Sequence, residues 1–443
     1  MTANTYKKDV KATLFNQIFK IFAGPVLLLF IPLYLTPLEQ GYWYTFTGLA
    51  ALAVFADLGF STIILQFVAH EFTFLRFDDK RMLTGDEDHL WRLASFFRFS
   101  FYWLLKVIGI IFPLIIIGGY FFLINKEDQL IWQGAWIVYA FASAIVFFNS
   151  TLLSFFEGCD SVSLVQGIRV KITAVNFGST VLGLYFNLGL YALSISLIFS
   201  SVFGLFFLVN KFSKTIKQLW KLSRGECYKW NSEFYALIWR YSISWCSGYF
   251  IFQLFTPLAF KYHGPVFAGK IGISIAMWTA GFSIATSWVT AVIPKLNMCI
   301  SENKWQELDK IFYRSLILAT STMFIGGSLF LITELIFRNK YDFFSRVLDI
   351  RSMFILFLCW MFQTIINTLA IYLRSHKKEP LMFLSLISAF YVAITTFLCA
   401  RYLSEQGLFL GFLSSYIYGL PVCVYIFNKK RQEHYLQERD KKE

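Results

Sequence analysis

The 443-residue chain is 57% hydrophobic and 15% charged, and its mean hydropathy is +0.57. This composition excludes a water-soluble globular protein, because apolar runs of about 20 residues, enough to cross a bilayer as a helix, recur along the whole sequence. The net charge of +13 does not require a nucleic-acid partner, since basic loops that face anionic lipid headgroups account for it.

The apolar runs predict about twelve transmembrane helices. The first follows a short basic segment without a small-residue cleavage site, so we expect a retained helix rather than a removed signal peptide. The fold class predicted is an all-α integral membrane protein with two six-helix lobes around a central cavity. The predicted spans are 14–35, 41–69, 96–124, 130–156, 163–186, 188–210, 234–260, 265–294, 311–336, 348–373, 380–402 and 407–428.

Along the chain, connections with many lysines and arginines alternate with connections that have few. About 28 of the 40 lysines and arginines lie in the N-terminal segment, in every second connection and in the C-terminal tail, against about seven in the opposite connections. Arg169 and Lys171 are counted in the rich group. By the positive-inside rule this group is cytoplasmic, which predicts that both termini lie in the cytoplasm.

The connections are too short to form separate domains. We therefore predict an N-terminal lobe over 1–210, a basic cytoplasmic linker over 211–233, a C-terminal lobe over 234–428 and a basic cytoplasmic tail over 429–443. Lysines in the linker recur every three or four residues, which predicts an interfacial helix lying on anionic lipid. The acidic residues of the first long loop are predicted to be solvated: Asp78, Asp79, Asp86, Glu87 and Asp88.

The sequence shows no pattern for cofactor or metal chemistry. Its seven cysteines are scattered without a CxxC pair, and its five histidines have no ligand spacing. Gly-rich phosphate loops and GxSxG elbows do not occur. We therefore predict a protein that is not an enzyme, holds no cofactor or metal, and has no nucleotide-binding domain for ATP-driven pumping.

Ionisable residues inside the predicted spans are the candidates for function, because they are costly in lipid. Asp57 lies deep in the second span, in the sequence Ala56-Asp57-Leu58-Gly59. Its short side chain cannot reach the headgroups. Two interpretations stay open: a coupling-ion site, or a carboxylate that fixes a helix break at Gly59.

Cations and amides inside other spans predict a substrate-binding cavity. Asn16, Gln17 and Lys20 share one side of the first span at helical spacing. For each buried cation the alternative is snorkelling to the membrane surface, and Arg98 and Lys106 fit either the cavity or an aromatic belt at the interface. The predicted cavity residues are Lys20, Arg240, Lys270, Asn16, Gln17, Gln363 and Asn367.

The two halves of the chain echo each other, and part of the first half resembles a known family. Residues 14–20 (LFNQIFK) and 234–240 (FYALIWR) each carry a cation at the sixth step, as in transporters built from two repeated halves. The run TPLEQGYWYTFTGLAALAVFADLGFSTIILQFVAHEF (36–72) resembles the second span of bacterial polysaccharide flippases. Residues 156–193 are similar to their fourth-to-sixth span region. Gln66 departs from this pattern, which often has a basic residue there at a cytoplasmic gate.

This resemblance implies an O-antigen type flippase of the multidrug/oligosaccharidyl-lipid/polysaccharide exporter superfamily, in the bacterial inner membrane. Such a protein moves a polyprenyl diphosphate-linked oligosaccharide to the periplasmic leaflet by alternating access. The implied partners are this lipid-linked substrate, membrane lipids and other polysaccharide assembly proteins, and coupling to a proton or sodium gradient is left open. The alternatives are a drug or metabolite cation antiporter of the same superfamily and a membrane-embedded polysaccharide polymerase.

Overall fold

The computed structural model describes residues 3–79, 81–124, 130–223, 242–243, 245–301, 304–376, 380–403 and 407–440. These residues are almost entirely helical. The helices of the first half are α1 (Ala3–Tyr34), α2 (Pro37–Ala50), α3 (Val54–Asp57), α4 (Phe60–Phe72), α5 (Glu87–Leu123), α6 (Gln133–Gly158), α7 (Val162–Tyr185) and α8 (Tyr191–Leu222). Those of the second half are α9 (Phe255–His263), α10 (Pro265–Thr290), α11 (Ile293–Ser301), α12 (Trp305–Phe337), α13 (Ile350–Ser375), α14 (Met382–Tyr402) and α15 (Leu410–Asp440).

Within the described ranges, nine helices are long and apolar enough to cross a membrane. A tenth candidate is the pair Pro37–Asp57 and Phe60–Phe72, bent by 41° at its break. α7 is not among the nine, because polar residues such as Arg169 and Asn176 lower its hydropathy, and residues 234–241 and 244 of the predicted span 234–260 lie outside the described residues. The prediction of an all-α, multi-span membrane protein is confirmed.

The helices fall into two compact units. The first consists of residues 1–35 and 46–246, and the second of residues 36–45 and 247–443. The beginning of α2 therefore belongs to the second unit although most of the first half of the chain belongs to the first. The sequence did not predict that residues 36–45 belong to the second unit.

Aromatic side chains make up much of the core of the first unit. Phe156 of α6 stacks on Phe212 of α8 with ring centroids 4.0 Å apart, and Phe97 of α5 meets Phe155 edge-on at 5.0 Å. Gly119 gives the Trp136 ring room against α5, because a Cβ at Gly119 would lie 2.1 Å from that ring. These contacts bury the large apolar surfaces on which the packing of the unit depends.

A short hairpin covers one end of α8. Strands β1 (Leu75–Phe77) and β2 (Leu83–Gly85) pair antiparallel, with Arg76 opposite Thr84. The backbone of Leu83 exchanges two hydrogen bonds with the Gln218 side chain, at 2.7 and 2.8 Å. The sequence predicted only a connection here, because three-residue strands give too short an alternation to recognise.

The predicted interfacial helix of the linker is wrong over the residues that the structure describes. Residues 211–222 continue α8 rather than forming a separate helix on the lipid surface. Phe212 and Leu219 are buried in the core of the first unit, and Thr215 donates a hydrogen bond to the Arg81 carbonyl. The lysines therefore lie on the outer face of α8, whose opposite face packs in the first unit. Residues 224–233 lie outside the described part of the chain.

Close backbone packing fixes the start of α2 in the second unit. A Cβ at Gly41 would lie 1.9 Å from the Pro265 carbonyl oxygen, and one at Gly272 would lie 2.2 Å from the Tyr44 side chain. Gln40 is 1% exposed and donates from its amide nitrogen to the carbonyls of Gly269 and Arg346. Glycine at position 41 therefore allows α2 and α10 to touch through their backbones.

Replacing Gly41 with alanine should destabilise the protein. The added methyl group meets a backbone carbonyl that cannot move like a flexible side chain, and overpacking of this kind costs about 1–3 kcal/mol. The measurement is thermal unfolding of the purified protein in lipid nanodiscs. Gly109→Ala is the matched control, because a Cβ at Gly109 meets nothing within 4 Å; equal melting temperatures for the two variants would contradict the packing described.

Candidate functional site

The first unit contains an open cavity between α1, α6, α7 and α8, with polar groups set among apolar ones. Its volume is about 300 Å³. Its wall contains two cations, amide and hydroxyl groups, and several aliphatic side chains. The lining residues are Lys20, Val146, Asn149, Ser150, Leu153, Arg169, Ile172, Thr173, Asn176, Leu197, Ser200 and Ser201.

α7 supplies the largest share of polar wall because its polar residues repeat at helical spacing. Arg169, Thr173 and Asn176 follow each other at steps of four and three, which places them on one face. The sequence prediction missed this stripe, since Arg169 was counted with the basic cytoplasmic residues near the start of the span. The same spacing test that singled out Asn16 and Lys20 identifies it.

A hydrogen-bond network ties Arg169 to α1. Arg169 Nη2 donates to Glu157 Oε2 at 2.8 Å, and Gln166 Nε2 donates to the other carboxylate oxygen of Glu157 at 2.8 Å. Gln166 Oε1 in turn accepts from the buried Asn16 amide at 2.7 Å. Asp9 strengthens the link between α1 and α7 by accepting from the Ser163 backbone N–H at 2.9 Å. These contacts hold the guanidinium of Arg169 at the cavity wall in the present structure.

Lys20 is the second cation of the cavity. Its side chain is exposed, and it has no hydrogen bond or ion pair with any residue that the structure describes. Arg169 and Glu157 are close enough for their charges to act on the ammonium group. Lys20 is thus available to a ligand, whereas Arg169 is engaged.

Two buried polar atoms at the cavity have no partner in the described part of the chain: Asn149 Oδ1 and Arg169 Nε. The Asn149 amide nitrogen donates to the Ser201 carbonyl, and that of Asn176 donates to the Ser200 hydroxyl at 3.2 Å. Unpaired buried polar atoms are costly. Both atoms are shielded from solvent, so a ligand in the cavity reaches them only if these side chains change rotamer.

The charges of the cavity favour an anion. Two cations, Lys20 and Arg169, line the wall, and no carboxylate is among its described lining residues. Glu157 lies outside the wall and compensates one of the two charges. Lysine and arginine both bind phosphate, arginine with a geometry that matches two oxygens at once.

Five other predicted cavity residues are not among the described lining residues of this cavity: Asn16, Gln17, Lys270, Gln363 and Asn367. Gln17 is half-buried on α1, and Arg240 lies outside the described residues. Lys270, Gln363 and Asn367 are half-buried in the second unit, where Gln363 Oε1 accepts from the Tyr416 hydroxyl at 3.0 Å. Their role as substrate-binding residues stays a prediction.

Arg98 and Lys106, which the sequence left between cavity and interface, are likewise absent from this cavity wall. Arg98 donates to the Ser223 carbonyl at 2.6 Å and lies over the Tyr102 ring. Lys106 is exposed on α5. The Arg98 side chain therefore satisfies a backbone carbonyl at the C-terminal end of α8.

Asp57 caps a helix at the break of the second span. Leu58 and Gly59 have φ angles of 47° and 77°, in the left-handed region, where the chain leaves α3 before α4 begins. Asp57 Oδ1 accepts from the Ser61 backbone N–H at 3.1 Å and from the Ser61 hydroxyl at 2.6 Å. These contacts support the helix-break interpretation.

Asp57→Asn should therefore keep most of the protein's stability, because the asparagine oxygen accepts the same two hydrogen bonds. Asp57→Ala should cost about 1 kcal/mol, the usual loss for a helix cap. Melting temperatures of both variants in nanodiscs check this expectation. A loss for Asp57→Asn as large as for Asp57→Ala would contradict the capping role and favour the coupling-ion interpretation.

No group of three or more His, Cys, Asp or Glu residues that could hold a metal ion occurs within the described ranges. Side chains of Lys20, Arg169, Asn149 and Asn176 offer charge and hydrogen bonds to a polar headgroup.

No protein-family model matches the chain, and no curated protein sequence matches it. Its fold, however, is similar to solved structures of transporters. An inward-facing multidrug resistance MATE family transporter of the MOP superfamily has a TM-score of 0.67 and 12% identity, over 96% of this chain and 95% of that one. The MATE multidrug transporter DinF-BH has a TM-score of 0.64 and 12% identity, over 98% of this chain and 97% of that one.

The lipid II flippase MurJ in an inward closed conformation is similar to the same extent. Its TM-score is 0.64 and its identity 13%, over 97% of this chain and 90% of that one. At these identities the similarity establishes the fold, which is the fold that the sequence resemblance implied. Because MATE transporters and a lipid flippase both have this fold, the fold alone does not assign a function to this chain.

Proposed function

We propose that this protein is a flippase for a polyprenyl diphosphate-linked oligosaccharide. It moves the headgroup from the cytoplasmic to the periplasmic leaflet of the bacterial inner membrane by alternating access, for assembly of an O-antigen-like surface polysaccharide. The observation that carries the proposal is the cavity of the first unit, where two cations and several amides and hydroxyls converge.

The composition of this cavity fits a phosphorylated sugar. Lys20 and Arg169 bind phosphate oxygens or an acidic sugar, and Asn149, Asn176 and the neighbouring hydroxyls bind sugar hydroxyl groups. With about 300 Å³ the cavity takes one part of a large headgroup rather than a whole oligosaccharide. We therefore assign it to the charged end of the substrate or to one sugar of the repeat unit.

The cation antiporter is the second candidate, because MATE transporters have the same fold. A site for cations is expected to offer carboxylates, and the described wall of this cavity offers lysine and arginine instead. A polymerase is a weaker candidate, since no catalytic pattern accompanies the transporter fold.

The membrane potential assists the proposed transport. The cell interior is negative, so the electrical force favours outward movement of a negative headgroup by about 2.3 kcal/mol per charge per 100 mV. Net outward transport therefore does not require a separate coupling ion.

We propose that both termini and the 211–233 linker lie in the cytoplasm, and labelling of Cys227 tests this orientation. In a variant with the other six cysteines replaced, Cys227 should resist a membrane-impermeant maleimide in intact spheroplasts and react after permeabilisation. A single cysteine placed at Asn125 should react in intact spheroplasts. Labelling of Cys227 from outside would contradict the proposed topology.

Cells that lack the gene test the function. Loss of a flippase should abolish the surface polysaccharide and leave lipid-linked repeat units facing the cytoplasm, where periplasmic glycosidases cannot reach them. Loss of a polymerase should leave single repeat units accessible from the periplasm. Unchanged surface polysaccharide, together with sensitivity to toxic cations, would favour the antiporter.

A further inference from the structure

Glu157 holds one of the two cavity cations from behind the wall. Its two carboxylate oxygens accept from Arg169 and Gln166, both at 2.8 Å. The Arg169 side chain lines the cavity, but Glu157 is not among the lining residues. The pair is shielded, with the side chains 29% and 15% exposed.

We propose that Glu157 is a built-in substitute for the substrate anion: it binds Arg169 in the empty cavity and releases it when a diphosphate enters. This inference rests on the proposed function and adds to it a residue that tunes affinity and reset. Glu157 acts through Arg169 and does not itself contact the substrate.

The geometry of Arg169 allows this exchange. Nη2 donates a single hydrogen bond from Arg169 to Glu157, and the Arg169 side chain, 29% exposed, lines the cavity. A guanidinium binds an oxyanion best with two parallel N–H groups, which this single contact does not use. A phosphate in the cavity therefore offers Arg169 more than Glu157 provides.

The surroundings also accommodate Glu157 once Arg169 has left. Gln166 continues to donate to Oε1, and the nearby Lys20 ammonium still acts on the carboxylate. These two groups reduce the cost of an unpaired, shielded carboxylate without removing it. The contact of Arg169 with the phosphate has to offset the rest.

The consequence is a compensated empty cavity. Without Glu157 the empty protein would carry two unpaired cations through the return half of the cycle, at the desolvation cost of charged groups in the membrane. With Glu157 it carries one. The carboxylate thereby lowers the affinity for the anion and eases the return.

Binding of farnesyl diphosphate to the full-length protein in nanodiscs tests the proposal. We expect Glu157→Gln to bind this short isoprenyl diphosphate about tenfold more tightly and Arg169→Gln about tenfold more weakly, the size of one hydrogen bond to a charged group. Glutamine at 157 still accepts from Gln166, so the variant keeps its shape. Glu307→Gln is the control, because this carboxylate pairs with Lys295 in the second unit.

The double variant Glu157→Gln/Arg169→Gln separates competition for Arg169 from a general effect of charge. It leaves no unpaired buried ion and is expected to fold even where a single variant does not. If Glu157 acts through Arg169, adding Glu157→Gln to the Arg169→Gln background should change affinity less than about twofold.

Tighter binding from Glu157→Gln in both backgrounds would overturn the proposal, as would unchanged binding in the wild-type background; in either case the flippase function stands if the wild type binds. Failure of the wild type and of Glu157→Gln to bind farnesyl diphosphate at all would overturn the proposed function together with this inference.

Discussion

Lys20→Ala should slow translocation of a lipid-linked headgroup roughly 10- to 100-fold. Lys20 is the cavity cation without an ion pair among the described residues, so its whole charge is available to the substrate. A hydrogen bond between charged groups contributes about 1.5–3 kcal/mol, which converts to the expected loss of rate if the contact is made in the moving state. The measurement is the initial rate of headgroup translocation in liposomes at matched protein levels.

Two further variants show whether the effect of Lys20→Ala is specific to a positive charge in the cavity. Lys20→Arg keeps the charge and should stay within about threefold of the wild type. Lys171→Ala removes a cation two residues after Arg169 on the same helix, where the ammonium lies 4.2 Å from the Phe207 ring centroid and does not line the cavity. It should leave the rate unchanged. A wild-type rate for Lys20→Ala would mean that Lys20 only reaches toward the membrane surface.

Arg169→Gln should lose both transport and stability. The variant removes the second cavity cation and leaves Glu157 without its ion-pair partner, and an uncompensated charge in a shielded position is expensive. Because the pair is partly exposed, we expect a loss of about 1–3 kcal/mol rather than the full value for a buried pair. Thermal unfolding in nanodiscs and the liposome rate measure the two effects.

The double variant Glu157→Gln/Arg169→Gln should recover most of the stability while transport stays low. The neutral pair removes the unpaired charge but does not restore the cation at the wall. Recovery of transport together with stability would show that Arg169 has a purely structural role.

The sequence predicted the fold class because composition alone determines it. Long apolar runs and alternating basic connections leave few structures other than a bundle of membrane helices. It did not predict that residues 36–45 pack with the second unit. This depends on the contact of Gly41 with Pro265, more than 200 positions away, and a single glycine in an apolar helix gives no sign of its distant partner.

The candidate site was predicted in part. The stripe of Asn16 and Lys20 indicated the face of α1 that the structure turns toward α7, because polar residues at helical spacing avoid lipid. Arg169 was missed since a cation near the start of a span also fits the positive-inside rule. Glu157 was missed because it closes a span, where a carboxylate is ordinarily solvated. The ion pair between Glu157 and Arg169 depends on how α6 packs against α7, which the sequence does not show.

The most direct test of the account is translocation of a fluorescent polyprenyl diphosphate-linked oligosaccharide by the purified wild-type protein in liposomes. We expect protein-dependent movement of the headgroup between leaflets, inhibited by farnesyl diphosphate but not by farnesol. Movement of a hydrophobic cation such as ethidium against an ion gradient, without any movement of the lipid-linked oligosaccharide, would contradict it.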